Sequence, residues 1–297
     1  MRFLLSLLSL IYVSQSLASE IFLDPRVKSG NRIVIEGIIE PGDFDKFQAF
    51  VFQDEKSIKA KVYADQVYIA SPGGDLTDSM RIGHLIRDLK MSTMIPTVFQ
   101  GELSSLNEKV SSDHGIKNVK DNYKCSSACF FIFVAGVYRK TDFTMDQARL
   151  GIHKPYLSES ELKKIPSNQA MQAEADVKNI VTKYNNEMGV PAHYTEEMFL
   201  IPKHEVKWIP GADLLRDFDG FIPQLQDWAD ARCSKTSPEE KAIWEELKST
   251  TSKQRSHAEN LIMQSIMEKK LNQSECEINL ASVVNAEGWA NHQDNKH

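Results

Sequence analysis

The run Gln66-Val67-Tyr68-Ile69-Ala70 passes without a break into Ser71-Pro72-Gly73-Gly74, and this junction constrains the fold more than any other part of the chain. Alternating β-branched and aromatic residues make a strand, Pro72 cannot extend its ladder, and two glycines admit the dihedrals of a tight turn. Helical periodicity follows at Leu76, Met80, Gly83, Ile86 and Leu89. A strand that hands over to a helix through Pro-Gly-Gly leaves main-chain N–H groups bare, where they can hold an oxyanion or a phosphate. Taken alone, the turn is equally well explained by the steric needs of a sharp strand-to-helix corner.

The same alternation recurs along the chain. Arg32 to Ile39 reads as a strand closed by Pro41-Gly42, and Phe44 to Phe52 carries apolar residues at helical spacing. Ser92 to Val98 reads as another short strand, and residues from about Gln100 to Asn122 as a polar inserted loop. Cys129 to Ala135 (CFFIFVA) is a continuous apolar run that periodicity cannot divide between a buried strand and a buried helix. Leu150-Gly151-Ile152-His153 is a further strand stopped by Pro155, and Ser158 to Met188 a long polar helical pattern, with Ser158 and Glu161 spaced as a capping box. Strands alternating with helices predict a layered α/β domain. From about Asp227 to Leu280 the composition turns to Glu, Lys, Gln and Ser, with helical spacing at Ile243, Leu247, Leu261, Ile262 and Ile266. That stretch predicts one or two helices in a small appendage. The residues after Val284 are polar and read as a frayed tail.

The first residues predict export. Met1-Arg2 supplies a positive charge, Phe3 to Val13 an apolar core, and Ser16 and Ala18 the small residues that a signal peptidase reads. The run is short for a membrane anchor, so cleavage after Ala18 is expected, with a periplasmic or secreted product and no stable membrane span. An even set of four cysteines suits an oxidising compartment. Cys125 and Cys129, without nearby partner ligands, make a weak metal signal, so disulfides are expected. Spacing leaves their pairing open. The favoured one is Cys125–Cys129 with Cys233–Cys276, and the first requires Cys125 to precede the helix that carries Cys129. A net charge of −6 and the lack of a basic stripe exclude a nucleic-acid partner.

Two further residues carry chemistry. Ser127, within Cys125-Ser126-Ser127-Ala128-Cys129, precedes the apolar run, where free N–H groups at a helix start stabilise developing negative charge; an N-cap serine is the plainer reading. His153, at the end of its short strand, titrates near neutrality and suits a general base, or else a hydrogen-bonded core position. Their order along the chain says more than either does singly.

VYIASPGGDLTDSM resembles the strand, oxyanion turn and first helix of the Clp protease proteolytic subunit family. CSSACFFIFVAG resembles its nucleophile segment, in which a serine opens a buried apolar helix, and LGIHKP its base-bearing strand. The three motifs stand in the family's order, and about Asn31 to Gly220 follows its succession of elements. The resemblance implies an α/β fold of the Clp protease/crotonase type, a β/α superhelical spiral with a helical arm, plus a small C-terminal helical appendage. It implies Ser127 as nucleophile, His153 as base, and an oxyanion hole from Gly73, Gly74 and Ala128. The family's acid, two residues before a Phe, falls on Glu197 of Glu197-Met198-Phe199, with Glu196 as an alternative.

The expected organisation is thus a leader over 1–18, a hydrolase domain over 19–226, a disulfide-stapled appendage over 227–284 and a flexible tail over 285–297. The insertion near 100–122 departs from the family. The chain has no G-x-x-x-x-G-K-[ST] loop and its compartment no ATP, so cleavage of peptides or unfolded protein without ATP is expected. No metal or cofactor is expected. The arm implies a homo-oligomer. Two other readings share the scaffold: a crotonase-like acyl-thioester enzyme, disfavoured by export and the Ser/His pair, and a catalytically silent binding or assembly protein. A lysine dyad through Lys154 is disfavoured, because neighbouring strand residues face opposite ways.

Overall fold

The computed structural model describes residues 19–24, 32–52, 65–95, 124–141, 150–156, 166, 169–202, 204–249 and 254–294. The leader, the insertion near 100–122 and the Ser158–Glu161 capping box lie outside the described residues.

The fold is mixed α/β. Its elements begin with β1 (Glu20–Leu23), β2 (Arg32–Glu36), α1 (Asp43–Phe52), β3 (Gln66–Ala70), α2 (Leu76–Asp88), β4 (Ser92–Ile95) and β5 (Cys125–Ser126). There follow α3 (Ala128–Val134), β6 (Tyr138–Thr141), β7 (Leu150–Ile152), α4 (Ala170–Glu187), α5 (Ala192–Met198) and β8 (Lys207–Trp208). The chain closes with α6 (Gly211–Asp217), β9 (Gly220–Phe221), α7 (Pro223–Asp230), α8 (Pro238–Ser249) and α9 (His257–Asp294).

One sheet runs β1-β2-β3-β4-β6-β9, parallel at its centre from β2 to β6 and antiparallel at both edges. A second, smaller sheet runs β5-β7-β8. The two meet where β3 ends, because Ser71 bridges to Cys125. Parallel strands need crossovers, and α1 and α2 supply two of them.

The CFFIFVA run is a helix. All seven residues of α3 are buried, so no polar face exists to betray its period. Phe130 meets Phe131 and Phe218 edge-on, and Phe131 meets Tyr184 likewise. Each fully buried Phe or Ile contributes roughly 1.5–3 kcal/mol, enough together to hold a short helix that propensity alone would not. Its C-terminal end is capped by two cations, the half-buried Arg87 and the buried Arg139: Arg87 donates to the Val134 and Ala135 carbonyls, and Arg139 to those of Val134 and Met188. Cations there complement the helix dipole.

The C-terminal part is helical and carries a disulfide, and where a frayed tail is expected after Val284 the helix continues. α9 continues as helix to Asp294, well beyond Val284, and Trp289 joins the main hydrophobic core. Asn285 donates to the Leu89 carbonyl at 2.7 Å, and the Trp289 ring meets Phe52 edge-on. Burial against α1 and the end of α2 is what orders this polar-looking segment, and no local pattern announces it. Cys233–Cys276 ties the turn after α7 to the middle of α9. Among the described residues no helix is long and apolar enough to cross a membrane.

Candidate active site

Three segments distant in sequence converge at the end of β3. The Ser71 N–H donates to the Lys124 carbonyl at 2.8 Å, the Ser126 N–H to the Ser71 carbonyl at 3.1 Å, and the Ser127 N–H to the Gly151 carbonyl at 3.2 Å. The glycine turn, the Ser127 segment and the strand that precedes His153 are therefore joined through main chain.

The turn is held open by its neighbours. Gly73 and Gly74 adopt φ of 108° and 144°, the region that residues with a Cβ avoid. The Ile39 N–H donates to the Gly73 carbonyl at 2.9 Å and the Asp75 N–H to the Ile39 carbonyl at 2.8 Å. The Gly73 N–H donates to Ser71 Oγ at 3.0 Å, which removes it from the set of free donors. Among the described residues the Gly74 N–H between them has no protein acceptor. Ser126 Oγ donates to the Pro72 carbonyl at 3.0 Å and draws the turn onto the serine segment.

Ser127 sits at a sharp corner between β5 and α3, with φ 59° and ψ −125°. Such a backbone costs roughly 1–3 kcal/mol for a residue with a Cβ, and persists only where surroundings enforce it. Its side chain caps nothing, unlike an ordinary N-cap serine. The corner leaves Ser127 partly exposed and points the first N–H of α3, that of Ala128, away from any protein acceptor among the described residues. A Cβ placed on Gly73 would lie 2.4 Å from Ser127 Cβ and 2.8 Å from Ser127 Oγ, so the turn's main chain lies directly against the hydroxyl.

His153 follows β7 immediately and is half-buried. Burial pushes its pKa below the ordinary value of 6.5, which keeps the imidazole neutral at neutral pH. Among the described residues Nδ1 is buried without a hydrogen-bond partner, and the ring lies edge-on to Tyr156 at 6.0 Å. Among the described residues no hydrogen bond joins His153 to Ser127.

Glu197 lies on α5, and its carboxylate is paired with Lys207 of β8 rather than with His153. Lys207 stands opposite Ile152 in the β7–β8 register, one residue before His153. Glu196 is exposed. Lys154 pairs with Glu174 of α4 at 3.6 Å. The cysteines form Cys125–Cys129 and Cys233–Cys276, and Cys125 lies in β5 ahead of the helix that carries Cys129. Among the described residues no group of His, Cys, Asp and Glu side chains is arranged to hold a metal ion. His84 pairs with Glu187 on the surface at 3.2 Å, and His292 stacks on Phe52.

Sequence reasoning passed over Ser71 and Ser126, whose hydroxyls shape the turn, and Lys207, which engages Glu197. The two serines stood inside the quoted motifs, but only the fold shows what their hydroxyls touch.

No family model matches the chain, and no curated protein matches it. Solved structures similar to it include a serine-to-alanine mutant of the 1510-N membrane-bound stomatin-specific protease. That likeness has 17% identity and a TM-score of 0.36, over 62% of this chain and 74% of that one. A lysine-to-alanine mutant of the same protease, in complex with a substrate peptide, has 17% identity and a TM-score of 0.33, over 59% and 64%. At such scores neither likeness distinguishes one activity from another.

Proposed function

We propose that the chain is an exported serine endopeptidase that cleaves peptides or unfolded protein without ATP, with Ser127 as nucleophile. The observation that carries this reading is the strained corner at Ser127, set against the glycine turn, with the Gly74 and Ala128 N–H groups left without a protein acceptor among the described residues. Ser127 Oγ attacks the peptide carbonyl while the neutral His153 imidazole takes its proton. The Gly74 and Ala128 N–H groups stabilise the tetrahedral oxyanion, and His153 then protonates the departing amine. Water hydrolyses the acyl-enzyme by the same route in reverse. Glu197 serves as third member only after leaving Lys207 for His153.

Fluorophosphonate labelling of the oxidised protein, followed by peptide mapping, tests this reading. Modification is expected at Ser127 and lost in Ser127→Ala. A folded parent that resists the reagent would overturn it.

Two observations favour a second reading, a catalytically silent binding or assembly protein: Glu197 is held by Lys207, and among the described residues His153 Nδ1 has no partner. That reading expects no labelling, and a stable partner recovered with the protein.

A further inference from the structure

The two cysteines that bracket Ser127 take no part in the chemistry proposed above. Cys125 is in β5, Cys129 is in the first turn of α3, and their bond spans the serine with Cα atoms 5.2 Å apart. Both are wholly buried. We propose that the Cys125–Cys129 disulfide is a positioning element for the nucleophile, holding Ser127 in the corner conformation that presents its hydroxyl and the Ala128 N–H together.

The corner has a reason to relax. A residue with a Cβ at φ 59° regains free energy by returning to negative φ. Three main-chain hydrogen bonds resist this: Ser126 N–H to Ser71, Ser127 N–H to Gly151 and Phe130 N–H to the Ser127 carbonyl, the last two at 3.2 and 3.0 Å. None of them passes across the corner from strand to helix as a covalent link does. The φ and ψ of Ser127 set both where Oγ points and where the next peptide points its N–H. A relaxed corner would therefore misplace nucleophile and oxyanion donor at once. The disulfide closes a small ring through Cys125, Ser126, Ser127, Ala128 and Cys129, and few backbone conformations of those five residues satisfy it.

The anchoring reaches the oxyanion turn as well. Cys125 pairs with Leu150 of the histidine strand and bridges to Ser71 at the end of β3. The bond thus links the start of α3 to the point where turn and base strand meet. Its burial marks it as a permanent fixture rather than a switch, since a reductant reaches the partly exposed Cys276 more readily.

This inference rests on Ser127 being the nucleophile, and the experiment separates the two. The protein carrying Cys233→Ser and Cys276→Ser retains only the buried bond. Its Ser127 labelling rate by fluorophosphonate, per folded molecule by near-ultraviolet circular dichroism, is compared in the oxidised form and after refolding under reductant. The same rate is measured on the Cys125→Ala, Cys129→Ala double variant.

Loss of the bond is expected to slow labelling roughly 10²-fold, the usual cost of a misplaced reacting group, with the pH midpoint unchanged because His153 is untouched. Equal rates in the oxidised and reduced folded forms would overturn the inference and leave the nucleophile standing. A lost folded state on both routes assigns the bond a structural role alone and overturns it too. An oxidised parent that is folded but unlabelled removes the nucleophile, and this inference with it.

Discussion

The chain carries two disulfides in two unlike regions. Cys125–Cys129 joins residues four apart, is fully buried, and encloses the serine corner. Cys233–Cys276 joins residues 43 apart and ties the turn after α7 to α9, with Cys233 buried and Cys276 partly exposed. In the chain-entropy account a bond stabilises by restricting the unfolded chain, which gives about 4 kcal/mol for the longer loop and about 2 kcal/mol for the shorter. The larger contribution to stability therefore falls on the bond with no part in the site. The other bond contributes less to global stability, and in the proposed reading its main effect is on a local geometry. If the proposal holds, stability and site geometry are allotted largely to separate regions, and each can be perturbed with the other as control.

The sharpest separation should come from the base. His153→Ala is expected to slow labelling and peptide cleavage by roughly 10²–10⁴-fold. The melting temperature should hardly move, which calorimetry would check. Unfolding of that variant at room temperature would break the proposed division.

Gly73→Ala should damage both properties. Its Cβ would meet Ser127 Cβ at 2.4 Å, and φ of 108° is strained for any L side chain. The strain alone costs roughly 1–3 kcal/mol, and labelling should fall with it. A variant with parental rate would show that the turn does not abut the hydroxyl.

In the other region, Cys233→Ser with Cys276→Ser should lower unfolding free energy by about 4 kcal/mol in denaturant titration, at an unchanged labelling rate per folded molecule. A slowed rate would couple the C-terminal helices to the site.

Smaller effects should resolve the acid. Lys207→Met frees Glu197 from its ion pair at little cost to stability, because such surface pairs contribute little. If Glu197 orients His153, cleavage quickens in Lys207→Met and slows in Glu197→Gln. Indifference to both removes Glu197 from the mechanism.

The pH dependence is the mildest test. Burial lowers the His153 pKa, so the acid limb of the labelling profile should lie below 6.5. The unfolded chain binds that proton more readily than the folded one. Stability should therefore fall as pH drops through 6.5 towards the lowered value, with no contribution from His153 above 6.5. His153→Gln should remove that part of the slope, a modest one because the ring is only half-buried.

How far each element was legible follows from the range of the forces that form it. The β3 strand, its glycine turn and α2 could be read directly, since period-two and helical patterns and the demands of Gly73 and Gly74 are local. The requirement that Cys125 precede the helix was legible for the same reason, being a matter of reach over four residues. The CFFIFVA run was not, because a helix buried on every side has no polar face. The end of α9 after Val284 reads as a frayed tail in the sequence, because Asn285 and Trp289 are ordered by Leu89 and Phe52, residues some two hundred positions away. Glu197 could be placed in the chain by resemblance, yet its partner in space is Lys207.

By itself, then, the sequence determined the turn chemistry, the cysteine spacing and the order of the turn, serine and histidine segments, all set by steric limits within a few residues. Only the tertiary structure decided which glycine N–H stays free, which cation holds Glu197, and that the end of the chain packs into the core. Those outcomes depend on segments far apart meeting to within a hydrogen bond's length, and no local pattern of residues encodes such a distance.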